Sequence, residues 1–213
     1  MKDLIIIGAG GLGREAMSLA LRIQKNNPDI QWRLKGFITD IVGDFYEKDT
    51  LGYDIIGTIK DHKVNDNNVY VFAIADVEFK KKTTKEFTEK GAKFINLISP
   101  HAFVAPNVDI GVGNIIQLGA GIAPNTKIGN FVMINAYTTI GHDAEIGDYT
   151  TLSSHCDITG YTKLGEGVFL GSHAVICPHA KVGDYARVGA GSIVLKRVKA
   201  HTTVFGNPAK RID

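Results

Sequence analysis

Seven histidines are the side chains of this 213-residue chain best suited to moving protons near neutral pH. They are His62, His101, His142, His155, His173, His179 and His201. His142 stands apart because an acid follows it directly, in the run Ile140-Gly141-His142-Asp143-Ala144-Glu145-Ile146-Gly147-Asp148. A carboxylate beside an imidazole orients the ring and stabilises the imidazolium. Such a pair has the chemistry of a general base with its partner, able to take the proton of an amine or hydroxyl as that group attacks a carbonyl, and equally that of a surface or interface histidine beside a solvated acid. Backbone N–H groups near the attacked carbonyl would hold the developing oxyanion, and no covalent enzyme intermediate is required.

A second chemical signal lies near the N-terminus. Gly8-Ala9-Gly10-Gly11-Leu12-Gly13 fits the pattern G-x-G-x-x-G, after the apolar run Leu4 to Ile7 and before a helical pattern from Arg14 to Lys25. N–H groups at such a helix start favour phosphate. Asp40, at the end of a second strand expected over Leu34 to Ile38, sits where an NAD-binding protein would place its ribose acid. Further strands are expected over Val69 to Ala75 and Phe94 to Leu97. Only 97 residues precede the repeat described next, room for one mononucleotide-binding half and not two. A nucleotide such as the UDP of a sugar nucleotide fits that size better than NAD. A plain tight turn is the remaining alternative.

The elements that must position His142 are set by a period of six. From Ile98 to Val194, seventeen consecutive sixth positions are Ile, Leu or Val, Ile140 among them. Four residues after each, the side chain is small or β-branched, as at Ala120, Thr126, Thr138, Ala144 and Cys156, with Asn114 the polar exception. Neither a helix nor a simple alternating strand has this period. It reads as a parallel β-helix with 18-residue triangular coils, the aliphatic side chains pointing inward. Glycine follows the aliphatic residue at Gly111, Gly129, Gly141, Gly147, Gly165, Gly171, Gly183 and Gly189. These glycines, with Asn135 as a stand-in, are expected to supply corners with positive φ. His142 falls at a corner and outward, with Gly160 one coil away. His155 and His173, 18 apart, should stack, and Tyr161 should lie between Asp143 and His179.

Composition removes several function classes. Hydrophobic residues make up 44% and charged residues 22%, with a net charge of +2, which excludes disorder; 24 glycines without a triplet repeat do not make collagen. Residues 1–97 and 98–213 each carry +1, so neither is a nucleic-acid arm, and Lys80-Lys81-Lys82 reads as a solvated helix face. No apolar run approaches the ~20 residues of a membrane span, and no secretory leader is expected. Cys156 and Cys177 are too few for a disulfide framework, so a cytoplasmic protein is expected.

The glycine loop, the unbroken hexad series and the tail Gly206-Asn207-Pro208-Ala209-Lys210 together resemble the NeuD/PglD-like (sialic-acid O-acetyltransferase-type) sugar acetyltransferases of the hexapeptide-repeat superfamily. The resemblance implies a Rossmann-like α/β half-domain over 1–97 that binds a nucleotide sugar, then a left-handed β-helix over 98–213 that transfers the acyl group. It implies acetyl-CoA as co-substrate, the amine of a nucleotide-linked amino sugar as acceptor, no metal, a homotrimer and a place in glycan biosynthesis. His142 matches the family's base and Asp143 its acidic partner. Thr151 falls on a family histidine that contacts acetyl-CoA, with His155 as its possible replacement. Gly160 and Ala190 match positions whose backbone amides approach the acetyl-CoA, and Lys210 and Arg211 could meet CoA phosphates. Gly10, Gly11, Leu12, Thr39, Asp40 and Ala75 fall on nucleotide-sugar contacts. Leu12 replaces a histidine of some members, and Ala75-Asp76 stands where Gly-Asn is frequent. An O-acetyltransferase acting on a sialic acid or similar sugar is the alternative, with an NAD-binding or non-enzymatic protein behind it. The γ-class carbonic anhydrases share the prism and bind zinc between subunits, but their histidine pair five residues apart is missing here.

Overall fold

The computed structural model describes residues 1–41 and 51–212. The chain divides into two compact units, Met1–Pro100 and His101–Asp213. In the first, β1 (Lys2–Ile7), β2 (Trp32–Ile38), β3 (Ile55–Gly57) and β4 (Asn68–Phe72) form a parallel sheet in the order β3-β2-β1-β4. Helices α1 (Gly11–Asn26) and α2 (Val77–Glu89) follow β1 and β4. Leu4, Ile6, Ile7, Met17, Phe37, Ile38 and Tyr70 are fully buried, so the apolar runs that mark the strands also fill the core. Gly8 has φ +104°, and a Cβ there would lie 2.7 Å from the Ala73 carbonyl oxygen. At Gly13 a Cβ would strike the Gly8 carbonyl, so only glycine lets α1 start this close to the loop.

Three expectations for this unit need correction. The strand over Phe94 to Leu97 is reduced to a bridge between Phe94 and Tyr70 and the short strand Leu97–Ile98. The strand over Val69 to Ala75 ends at Phe72, because Asp76 turns the chain into α2 by accepting the Phe79 N–H at 2.7 Å. The solvated face read at Lys80-Lys81-Lys82 fails at its first member. Lys80 faces inward, 4% exposed, and burial pushes its ammonium down from 10.5 to about 8.

The second unit is a left-handed parallel β-helix of two-residue strands. Each strand pairs in parallel with those one coil away, as in Ile128↔Ile146 and Ile146↔Leu164. The aliphatic series points inward as expected, with Ile116, Ile122, Ile134, Leu152, Ile158 and Leu170 wholly buried. The small positions that follow are buried too, and their hydroxyls are satisfied by backbone carbonyls. Thr138 Oγ1 donates to Ser153 O at 2.7 Å, and Thr150 Oγ1 to Gly165 O at 3.0 Å. Asn114 fits as the exception because its amide bridges coils, donating to Gly129 O at 3.0 Å and accepting from Val132 N at 2.6 Å. After Val194 the period slips: Val182 pairs with Val198 and Val188 with Val204, so the last coil is two residues short. Thr203–Phe205 then pairs antiparallel with Lys210–Arg211.

The corner glycines do a different job from the one expected. Those after the aliphatic residue, and Asn135, are not in the left-handed region. Positive φ falls two residues later, at Asn125, Phe131, Tyr137, Asp143, Tyr149, His155, Tyr161, His173, His179 and Tyr185, all between 55° and 61°. Glycine is needed before the corner for space: a Cβ on Gly141 would sit 2.6 Å from the Gly160 nitrogen, and one on Gly171 2.6 Å from the Ala190 nitrogen. The corner side chains stack along the prism edges instead. His155 and His173 lie parallel at 4.9 Å, Tyr161 and His179 at 4.9 Å, and Phe131 and Tyr149 at 5.5 Å.

Candidate functional site

His142 and Asp143 occupy the corner between strands Thr139–Ile140 and Glu145–Ile146. His142 Nδ1 lies 2.8 Å from Asp143 Oδ2, with the imidazole 56% and the carboxylate 34% exposed. An ionised carboxylate only accepts, so Nδ1 carries the proton and Nε2 keeps the basic lone pair. Gly160, one coil on, makes room for the ring: a Cβ there would lie 2.9 Å from both Cε1 and Nε2 of His142. The Tyr161 ring meets the imidazole edge-on at 5.0 Å and 90°. Asp143 sits at φ 58°, a conformation that Asn and Asp tolerate better than most residues. A groove of about 560 Å³ runs beside Asp143, lined by Asn125, Lys127, Tyr161, Lys163 and His179 among others. Lys163 is paired with Glu145 at 2.8 Å. Cys156 offers no rival nucleophile, since burial pushes its thiol up to about 11.

The other expected donor-site residues lie elsewhere on the prism. Thr151 is on a strand paired with Met133 and Phe169, on a face that does not border the His142 corner. His155 is exposed at the next corner, stacked between Tyr137 at 5.3 Å and His173 at 4.9 Å. Ala190 is exposed at that same corner, two coils beyond Ser154 in register. Within one chain, then, His142 and Gly160 share one edge, and Thr151, His155 and Ala190 gather around another. Lys210 is exposed on the closing antiparallel strand, opposite Phe205.

In the first unit, the expected acceptor residues gather at the carboxyl ends of three parallel strands. Gly10, Gly11 and Leu12 follow β1, Thr39 and Asp40 follow β2, and Ala75 follows β4. Ile7 pairs with both Ile38 and Phe72, so these ends lie side by side. Helix α1 begins at Gly11 with Gly10 as its N-cap, no side-chain cap and no acid in its first turn. A Cβ on Gly11 would meet nothing within 4 Å. Thr39 is buried, and its N–H donates to Gly57 O at 3.1 Å. Asp40 Oδ1 accepts the Lys60 N–H at 3.1 Å, which ties the acid to the backbone beyond β3. Asp76, beside Ala75, is engaged as the α2 cap.

Two contributors escaped the sequence reading. Asn125 Nδ2 donates to Asp143 Oδ1 at 3.3 Å, and Asn125 Oδ1 accepts from Asn107 Nδ2. Their signal was the spacing of 18 residues back from Asp143. Among the described residues, no group of three or more His, Cys, Asp and Glu is arranged to hold a metal ion.

Comparison with known proteins matches residues 3–87 to the PglD N-terminal domain and residues 125–160 and 161–196 to the bacterial transferase hexapeptide (six repeats). The chain thus carries a PglD N-terminal domain followed by bacterial transferase hexapeptide repeats. Among solved structures, the acetyltransferase domain of PglB from Neisseria gonorrhoeae FA1090 superposes with a TM-score of 0.90 at 25% identity, covering 100% of both chains. WeeI from Acinetobacter baumannii AYE gives 0.87 at 27% identity, again over 100% of each chain. PerB from Caulobacter crescentus, solved in complex with CoA and GDP-perosamine, gives 0.87 at 23% identity, over 100% of this chain and 98% of PerB, a likeness of fold. The search of curated proteins returns no match.

Proposed function

We propose that this protein is an acetyltransferase that moves the acetyl group of acetyl-CoA to the amine of a nucleotide-linked amino sugar, with His142 as general base and Asp143 as its partner. The observation that carries the reading is the 2.8 Å Nδ1–carboxylate contact, which leaves Nε2 basic and beside the bare Cα of Gly160. The amine lone pair attacks the thioester carbonyl, the new C–N bond forms, and His142 Nε2 takes the amine proton. The C–S bond then breaks, and the proton passes to the departing CoA sulfur. The Gly160 N–H, which has no hydrogen-bond partner among the described residues, is available to the oxyanion. The PglB acetyltransferase domain, also solved with acetyl coenzyme A, supports the donor, and PerB's GDP-perosamine is an example of the acceptor class.

The nucleotide is assigned to Gly10, Gly11, Leu12, Thr39, Asp40 and Ala75, on the strength of their gathering at one end of the sheet and the open start of α1. For CoA, the separation of His142 and Gly160 from Thr151, His155 and Ala190 supports a homotrimer in which the two edges of neighbouring prisms face each other across it. Lys210 is assigned to the CoA phosphates. No helix of the described residues is long and apolar enough to cross a membrane, and the free Cys156 and Cys177 suit a reducing cytoplasm.

The test is CoA release over a panel of nucleotide-linked amino sugars and their hydroxyl counterparts. One amine acceptor should turn over, and His142→Ala should lower kcat by about 100-fold or more, the usual contribution of a general base. Near wild-type turnover in that variant, or activity restricted to hydroxyl acceptors, would sink the proposal.

A further inference from the structure

We propose that Asn125, itself held by Asn107, is a positioning residue that fixes the Asp143 carboxylate for His142. This rests on the reading of His142 as the base. The three residues occupy the same place in successive coils, each third after the inward aliphatic residues Val104, Ile122 and Ile140. Those strands are paired in register, Val104↔Ile122 and Ile122↔Ile140, so the side chains form one column along the prism edge. Beyond Asp143 the column turns aromatic, with Tyr161 and His179 stacked. Before it the column is made of amides alone, and the change falls at the acid that partners His142.

The direction of the hydrogen bonds follows from the carboxylate. Asp143 uses one oxygen for each neighbour, Oδ2 for His142 Nδ1 at 2.8 Å and Oδ1 for Asn125 Nδ2 at 3.3 Å. Since an ionised carboxylate only accepts, Asn125 must turn its NH₂ towards it. The Asn125 carbonyl is left to accept from Asn107 Nδ2, which fixes the second amide in turn. The Asp χ2 torsion is broad and only two-fold, so a carboxylate held at one oxygen alone would swing and share itself with water. Held at both, it keeps the proton on Nδ1 and the lone pair on Nε2. The other ionisable groups along the groove beside the pair are Lys127, Glu145, Tyr161, Lys163, His179 and Lys181, and Lys163 is already matched by Glu145.

Asn125→Gly tests this without disturbing the corner. Asn125 has φ 60°, and Gly113, Gly119, Gly167 and Gly191 adopt positive φ at equivalent places. The readouts are the His142 imidazole titration by NMR in the ligand-free protein, and kcat and KM with both substrates. Asn125→Gly should move the His142 midpoint measurably downward, as a less firmly held charge partner does. kcat should fall about three- to tenfold with both KM values within about twofold, the split of a group acting only at the chemical step. Asn107→Gly should move both readouts the same way and less. Tyr149→Gly, at another corner, should leave the midpoint in place. An unchanged midpoint in Asn125→Gly, or an equal change in Tyr149→Gly, overturns the column. A shifted midpoint with unchanged kcat overturns its role in positioning. The titration reports the column whether or not the protein turns over, so a His142→Ala variant with full activity would sink the base and leave this measurement standing.

Discussion

The state of one nitrogen decides what the corner can do. With Nδ1 bound to the Asp143 carboxylate at 2.8 Å, Nε2 is the atom free to take a proton. Asp143→Asn would present an NH₂ or a carbonyl in place of an obligate acceptor, and the tautomer would no longer be fixed. We expect kcat to fall about 10- to 100-fold with KM for acetyl-CoA little changed, read from initial rates across pH. Gly160→Ala would bring a methyl within 2.9 Å of the ring and should impair turnover comparably, with CoA affinity as the companion measurement. His142 and Asp143 were candidates in the sequence because the family resemblance pointed to them and their adjacency at one corner suits a base and its partner. Asn125 was not, since its link to Asp143 exists only when coils stack and its own neighbours carry no chemical signal.

Single elements show how a period can be read correctly and its glycines wrongly. The inward Ile, Leu and Val positions were plain because burial selects one residue class at every sixth place. The sign of φ was not, because the residues that turn the corners are mostly Tyr, His and Phe, types that seldom sit there. Their rings lie against rings one coil away, which offsets the backbone cost. Gly147→Ala should therefore lower Tm clearly, since the new Cβ would meet the Gly165 carbonyl oxygen at 2.5 Å. His173→Gly, where glycine suits the φ of 60°, should cost less. In α2 the burial of Lys80 has a pH signature. Its pKa is 10.5 in the unfolded chain and about 8 when folded, so the unfolded state holds more protons between those values and stability rises with pH there. Below pH 8 the burial penalty is fully present. Lys80→Met should remove this rise in stability between about pH 8 and pH 10.5, read as a flatter pH profile of Tm in thermal melts.

For the molecule as a whole, the question is how a prism with its candidate groups on two edges could make one site. If neighbouring copies each contribute an edge, a chain altered at His142 and a chain altered at Ala190 are each inactive alone and complementary together. Co-expressing His142→Ala with Ala190→Trp at equal levels should restore about a quarter of wild-type activity, the share of sites that draw an intact edge from each parent. No recovery in verified mixed assemblies would mean that one chain holds the whole site. The shortened last coil bears on assembly in another direction. A regular solenoid ends in open strand edges on which an identical solenoid could continue, coil upon coil, into a fibre. Here Val198 and Val204 arrive two residues early, and Lys210–Arg211 runs antiparallel over Thr203–Phe205. The parallel register cannot be copied past that point, so the fold that makes polymerisation easy carries its own stop.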